Sequence, residues 1–162
     1  MNEHRIKDLR INFSVLVCSS TRTKDNDTSG TEIISLLEKA GHNIAFYEVI
    51  PDDPELIRKT TLRGIEAGDA LIISGGTGIT SHDVTVEAVR EIADKEIRGF
   101  GITFTILSYQ QIGTSAMMSG STAFLVRKKP VFCLPGSPSG ASLGVSGIIL
   151  KEIDHIIHEA GR

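Results

Sequence analysis

The segment Ser74-Gly75-Gly76-Thr77-Gly78 puts three glycines into four residues at the end of an apolar run. Glycine lets the backbone take positive φ and come close to a ligand. Converging amides, with the positive end of a following helix, suit a phosphate or a carboxylate. A tight structural turn would use the same residues, and the segment alone supports both readings equally. It has neither the Gly-Lys-Ser/Thr of a P-loop nor the GxGxxG of a dinucleotide fold. Asp83 follows five residues after the last glycine. Beside a bound phosphate its carboxylate would hold Mg²⁺; taken alone, it reads better as the N-cap of the next helix.

Other candidate residues have simpler readings. Asp52 and Asp53 could form an acid/base pair, but Pro51-Asp52-Asp53-Pro54 reads better as a turn with Asp53 capping a helix that starts at Pro54. His82 could donate to a phosphate and otherwise is a solvated loop residue. The other four histidines show no metal-ligand spacing. No nucleophile elbow is present. Lys128-Lys129 reads as a solvated turn. Cys18 and Cys133 each end a strand-like run, outside any CxxC pattern, and read as buried, reduced thiols.

These residues must be held by regular elements. Ile11 to Val17 is a continuous apolar run that suits a strand buried on both faces. Ser19 to Asp27 reads as a loop. Ser29 to Glu32 has the form of a capping box, followed by Ile33, Leu36, Leu37 and Ala40 at helical spacing and Gly41 as the stop. Asn43 to Ile50 reads as a second strand. A helix then runs to about Ala67, with Glu55 and Lys59 placed to pair, and Gly68-Asp69 ends it. Ala70 to Ser74 is a third strand. Val86, Val89 and Ala93 mark a helix opened by Asp83 or Thr85. Gly101 to Leu107 has strand propensity. Thr122 to Val126 and Val131 to Leu134 read as strands joined by a turn. A last helix, capped by Ser137 or Ser139, carries Leu143, Ser146, Gly147, Leu150 and Ile157 along one face, with Ile149, Ile153 and Ile156 beside them; its apolar character suits a subunit interface or a buried core position equally. Alternating strands and helices imply a mostly parallel sheet. Ligands bind such sheets beyond the C-terminal strand ends, where the loops 19–29, 75–85 and 135–139 would converge.

Composition bounds the rest. With 162 residues and no linker or repeat, the chain reads as one domain, 1–162, with a core of about 11–158. A net charge of −3 argues against a nucleic-acid partner. Met1 to Ile11 is polar and no apolar stretch approaches a membrane span, so a cytoplasmic protein without membrane contact is expected.

The glycine loop does not stand alone. Ser74-Gly75-Gly76-Thr77-Gly78 followed by His82-Asp83-Val84-Thr85-Val86-Glu87-Ala88 resembles the pattern TTGGTG…RDVTPEA of the molybdopterin-binding MoaB/Mog family. Asp27-Thr28-Ser29-Gly30 is similar to the family's DTSG. Ile50-Pro51-Asp52-Asp53, Glu96 to Gly101, Leu107-Ser108-Tyr109, Ile112 to Ser115 and Leu134 to Pro138 recur there in the same order. The resemblance runs from about Val15 to about Leu150. It implies a three-layer α/β/α sandwich around a mostly parallel sheet, a helix over Gly99 to Ser108 against local propensity, and a homotrimer or hexamer. It implies a role in molybdenum or tungsten cofactor biosynthesis: molybdopterin is bound and adenylylated with Mg-ATP, and pyrophosphate is released. The implied ligand contacts are Ser19, Ser20, Ser74, Gly75, Gly76, Thr77, Gly78, Ser115, Ser119, Pro135, Gly136 and Ser137, with Asp83 catalytic and binding Mg²⁺. The downstream metal-insertion protein is an expected partner.

Four positions depart from the family pattern. Ser20 stands where an Asp is common, Gly120 where an Arg is common, Ser139 where a Lys is common, and Val86 where the family has Pro. The first three each remove a charge from the expected site, and a charged contact to phosphate is worth about 1.5–3 kcal/mol. A non-catalytic member that binds molybdopterin or a related nucleotide is therefore the alternative to an adenylyltransferase. Arg22, Lys24 or Asp25 of the neighbouring loop could compensate.

Overall fold

The apolar run of the first strand is buried because strands flank it on both edges. In a computed structural model that describes residues 9–162, β1 (Asn12–Cys18) is buried from Phe13 onward. It pairs in parallel with β2 (Asn43–Ile50) on one side and β3 (Ala70–Ser74) on the other. All five residues of β3 are buried, and β3 pairs in parallel with β6 (Lys129–Leu134). β5 (Thr122–Val126) returns antiparallel on β6, and β4 (Lys95–Ile97) closes the edge antiparallel to β5. The order is β2-β1-β3-β6-β5-β4. β4 was not foreseen: three residues beginning Lys-Glu carry no usable periodicity. The polar N-terminal stretch lies, through residue 8, outside the described residues.

Among the described residues six α-helices cover the sheet: α1 (Thr28–Lys39), α2 (Pro54–Ala67), α3 (Thr85–Ile92), α4 (Arg98–Ile112), α5 (Pro138–Gly144) and α6 (Leu150–Ala160). Strand side chains alternate between two faces. On one face Phe13, Val15, Ile72 and Phe132 pack with Ile33 and Leu37 of α1, Phe100 and Phe104 of α4, and Val145, Ile149 and Ile153 near the C-terminus. On the other, Leu16, Ile73, Phe124 and Val131 pack with Ile57 and Ile65 of α2 and Val89 of α3. This is the expected three-layer α/β/α sandwich. Because each layer shares the central sheet, truncating one fully buried residue such as Ile72 to Ala would cost about 2–5 kcal/mol.

Several local expectations hold. Asp53 caps α2 by accepting from the Leu56 amide at 2.8 Å. Glu55 and Lys59 pair at 3.0 Å. Gly41, at φ +90°, follows the end of α1, and its amide and that of His42 donate to the carbonyls of Glu38 and Leu37, as in a Schellman stop. Ser137 caps α5. α4 is helical as the family resemblance implied: its two Phe rings reach the core and outweigh the strand propensity of its Ile and Thr residues.

Others are corrected. The N-cap of α1 is Asp27, whose Oδ1 accepts from the Gly30 amide at 2.9 Å; Ser29 lies inside the first turn and bonds Ser74 instead. Asp83 is not the cap of α3; Val84 holds that position without a side-chain bond, and Thr85 is the first helical residue. Lys129 is not solvated: its Nζ donates to the Ile65 and Gly68 carbonyls at 2.6 and 2.9 Å, closing the C-terminal end of α2. Only Arg127 and Lys128, both at positive φ, form the turn. The C-terminal helix is not uniform. A π turn at Val145–Ile149 joins α5 to α6; Val145, Ile149 and Ile153 are buried in the core, and Leu143, Leu150 and Ile157 pack against it half-buried.

Candidate functional site

Strand register assembles the site. Val17 pairs with Ser74, Ser74 with Leu134, and Cys18 with Ile50. Four parallel strands therefore end side by side, and the loops that follow surround one cleft of about 450 Å³. The order reverses here, since β1 connects outward to β2 while β3 lies on its other side. Such a switch point opens a crevice beyond the strand ends.

The loop after β3 is shaped by close contact. Gly75 has φ +101° and Gly76 φ +72°. A Cβ at Gly75 would lie 2.2 Å from the Cys18 carbonyl oxygen, and one at Gly76 would lie 2.1 Å from Thr85 Oγ1. No other residue type fits either position. The Gly75 amide donates to the Leu134 carbonyl at 3.0 Å. The amides of Gly76 and Thr77, which line the cleft, donate to no protein acceptor among the described residues. The same is true of the Gly136 and Ser137 amides on the loop after β6. Residues with unpaired backbone donors from two loops thus line one cavity, and such donors are what an anion needs. Ser74 takes no direct part in that donor set. Its buried hydroxyl bonds Ser29 Oγ at 2.7 Å and the Pro135 carbonyl at 3.0 Å, tying the three loops together.

Asp83 lines the cleft with its carboxylate folded onto its own loop. Oδ2 accepts from the Thr80 amide at 3.0 Å and the Thr80 hydroxyl at 2.7 Å. Partial burial pushes this carboxyl up, but the Thr80 hydroxyl and amide, the Gly78 amide and nearby His82 outweigh it and hold the pKa below 3.8. The group is anionic at neutral pH. Cys18 also lines the cleft, and burial pushes its thiol up to about 12. It is no nucleophile at neutral pH. Burial likewise raises the Cys133 thiol. Both cysteines are free and buried, as the sequence indicated.

Of the expected contacts, Ser19, Ser74, Gly75, Gly76, Thr77, Gly78, Asp83, Ser115, Ser119, Pro135, Gly136 and Ser137 all line this cleft. Ser20 does not. It is exposed, and its hydroxyl donates to Asp52 Oδ2 at 3.0 Å. Asp52 lines the cleft, so a carboxylate is present although residue 20 is neutral. Sequence reasoning set Asp52 aside as a turn residue; the parallel pairing of β1 and β2, which brings its turn beside Ser20, was the signal that could have found it. Of the three possible compensating residues, Arg22 alone lines the cleft. Lys24 Nζ instead sits 5.2 Å from the centre of the Tyr47 ring. Asp25 belongs to a short 3₁₀ turn, Lys24–Asn26. Gly120 and Ser139 lie outside the lining. Among the described residues no three His, Cys, Asp or Glu side chains cluster as a metal site, and no helix is long and apolar enough to cross a membrane.

Comparison with known proteins agrees with this geometry. Residues 14–155 match a family described as "Probable molybdopterin binding domain". The chain is 40% identical over 152 residues to molybdenum cofactor biosynthesis protein B of Bacillus subtilis, covering 92% of this chain and 89% of that protein. It superposes on a crystal structure of a molybdenum cofactor biosynthesis protein B with a TM-score of 0.91 at 41% identity, covering 95% and 98% of the two chains. The tungsten cofactor synthesizing protein MoaB of Pyrococcus furiosus superposes with a TM-score of 0.86 at 31% identity, over 94% and 98%.

Proposed function

Since the chain belongs to the molybdopterin-binding family of molybdenum and tungsten cofactor biosynthesis, we propose that its cleft binds molybdopterin and ATP and catalyses adenylylation of the pterin. A terminal phosphate oxygen of molybdopterin attacks the α-phosphorus of ATP. A new P–O bond forms, the bond to the α–β bridging oxygen breaks, and pyrophosphate leaves. Such transfer depends on positioning and charge neutralisation.

The observation that carries this reading is the pair of loops with unpaired amides, Gly76 and Thr77 on one and Gly136 and Ser137 on the other. They would hold phosphate oxygens in place. Asp83 and Asp52 are the two lining carboxylates. Asp83 would hold Mg²⁺ through its carboxylate, which is kept anionic, and both Thr80 bonds fall on its Oδ2. The ion, when bound, supplies positive charge to the ATP phosphates. The neutral Cys18 thiol and the buried strand ends form the floor and exclude water from that side.

The assembly is proposed to be a homotrimer or hexamer in the cytoplasm, with the downstream metal-insertion protein as a further partner. The apolar surface for subunit contact is not the C-terminal helix, whose Ile149 and Ile153 are buried in the core. It is α4, where Ile102, Ile106 and Tyr109 are 62%, 55% and 59% exposed at helical spacing.

A second reading is a non-catalytic binder of molybdopterin or of a related nucleotide. It is favoured by the neutral Ser20, Gly120 and Ser139. Turnover with molybdopterin and Mg-ATP separates the two. Pyrophosphate and adenylylated pterin should form with the native chain and not with Asp83→Ala. Tight molybdopterin binding without product would establish the binder instead.

A further inference from the structure

Arg22 is the only arginine or lysine that lines the cleft among the described residues. Its backbone is anchored: the Arg22 amide donates to Ser19 Oγ at 3.1 Å, and the Ser19 amide donates to the Ile50 carbonyl at 2.8 Å. Its side chain is not. The guanidinium reaches Thr28 Oγ1 at 3.5 Å and forms no ion pair among the described residues. Five arginines elsewhere (Arg58, Arg63, Arg90, Arg127 and Arg162) each have a carboxylate within 3.4 Å. A guanidinium on a partly buried residue, left without a counter-charge beside two sets of unpaired amides, is prepared for an anion from outside.

We infer that Arg22 is the phosphate clamp of this cleft and the residue that selects phosphorylated ligands over neutral ones. The inference rests on the reading of the cleft as a molybdopterin and ATP site and adds to it the group that recognises charge. Because Gly120 and Ser139 offer no second cation, charge recognition is concentrated on this one side chain. The anion is a phosphate, of either the nucleotide's polyphosphate or the pterin's terminal monoester. A planar guanidinium grips two oxygens at once, whereas an ammonium acts as a point charge.

The test is calorimetric binding to the full chain, using inorganic pyrophosphate, Mg-ATP, molybdopterin and uncharged adenosine as separate probes. Arg22→Gln should weaken binding of at least one phosphorylated probe by about 10- to 100-fold and leave adenosine binding unchanged. Arg22→Lys should recover part of the loss. A loss confined to ATP and pyrophosphate assigns the clamp to the nucleotide; a loss confined to molybdopterin assigns it to the pterin phosphate. A matching thermal midpoint would show that both variants are folded. If the native chain binds the phosphorylated probes and Arg22→Gln binds them equally well, the clamp is overturned and the proposed function stands. If the native chain binds none of them, both fail.

Discussion

Across the cleft, the Gly75–Asp83 loop after β3 and the Ser19–Asp27 loop after β1 owe their shapes to different forces. The first is fixed by steric exclusion: Gly75 and Gly76 press against Cys18 and Thr85 so closely that a single methyl group would collide. The second is held by hydrogen bonds with side chains: the Thr21 and Arg22 amides donate to Ser19 Oγ, the Ser20 hydroxyl to Asp52 Oδ2, and the Thr23 amide to Asn26 Oδ1. The rigid loop presents backbone donors, which any anion can use. The hydrogen-bonded loop presents a charged side chain, which discriminates. A loop defined by contact distance tolerates almost no substitution, whereas one defined by exposed hydrogen bonds can change residues and keep its course.

The contrast can be broken most directly at Gly75. Gly75→Ala should cost about 3 kcal/mol from strain and displacement of the β1 end, read as a lower urea midpoint at unchanged slope. A midpoint within about 0.5 kcal/mol of the native chain would show that the rigid loop is softer than its contacts imply. Next in size, if the proposed adenylylation holds, Asp83→Asn should lower turnover on the order of 100-fold, the loss the proposed Mg²⁺ role requires, with little change in the thermal midpoint. In the native chain the Asp83 carboxyl, followed by NMR, should titrate below 3.8. A depressed carboxyl pKa stabilises the fold above the unfolded value, and that contribution is lost as pH falls through the folded value. Titration at or above 3.8 would remove the Thr80 clamp from the account. A smaller effect is expected at Ser29, which joins the two loops. Ser29→Ala leaves Ser74 its bond to the Pro135 carbonyl and should cost about 1 kcal/mol in denaturant unfolding; no measurable cost would mean that the loops are not coupled there. Smallest of all, Ser20→Ala should change stability by less than about 0.5 kcal/mol, because its partner Asp52 stays partly solvated. A large loss would mean that the hydrogen-bonded loop is as constrained as the glycine loop.

Most of the scaffold was legible along the chain. Apolar runs marked β1, β2, β3 and β6, and the Asp53-Pro54 start and the Gly41 stop marked helix ends, because these signals act within a few residues. The ordered motifs identified the family and most of the cleft lining. Where local signals competed, position in the fold decided. Asp27 took the N-cap of α1 from Ser29 because Ser29 lies against β3, where its hydroxyl meets Ser74. Lys129 looked solvated in sequence, yet it ends on α2 carbonyls more than 60 positions away. α4 is helical because Phe100 and Phe104 fill a core that residues from distant segments complete.

The sequence alone determined the residue types that chemistry requires: glycines that allow close backbone approach, an aspartate after them, and a parallel sheet whose loops share one edge. Only the tertiary structure decided which charged side chains occupy the cleft. Arg22 lines it while Lys24 stacks on Tyr47, and Asp52 lines it where residue 20 is neutral. Backbone register between neighbouring strands fixes those positions, and register depends on pairing partners remote in the chain rather than on the residues themselves.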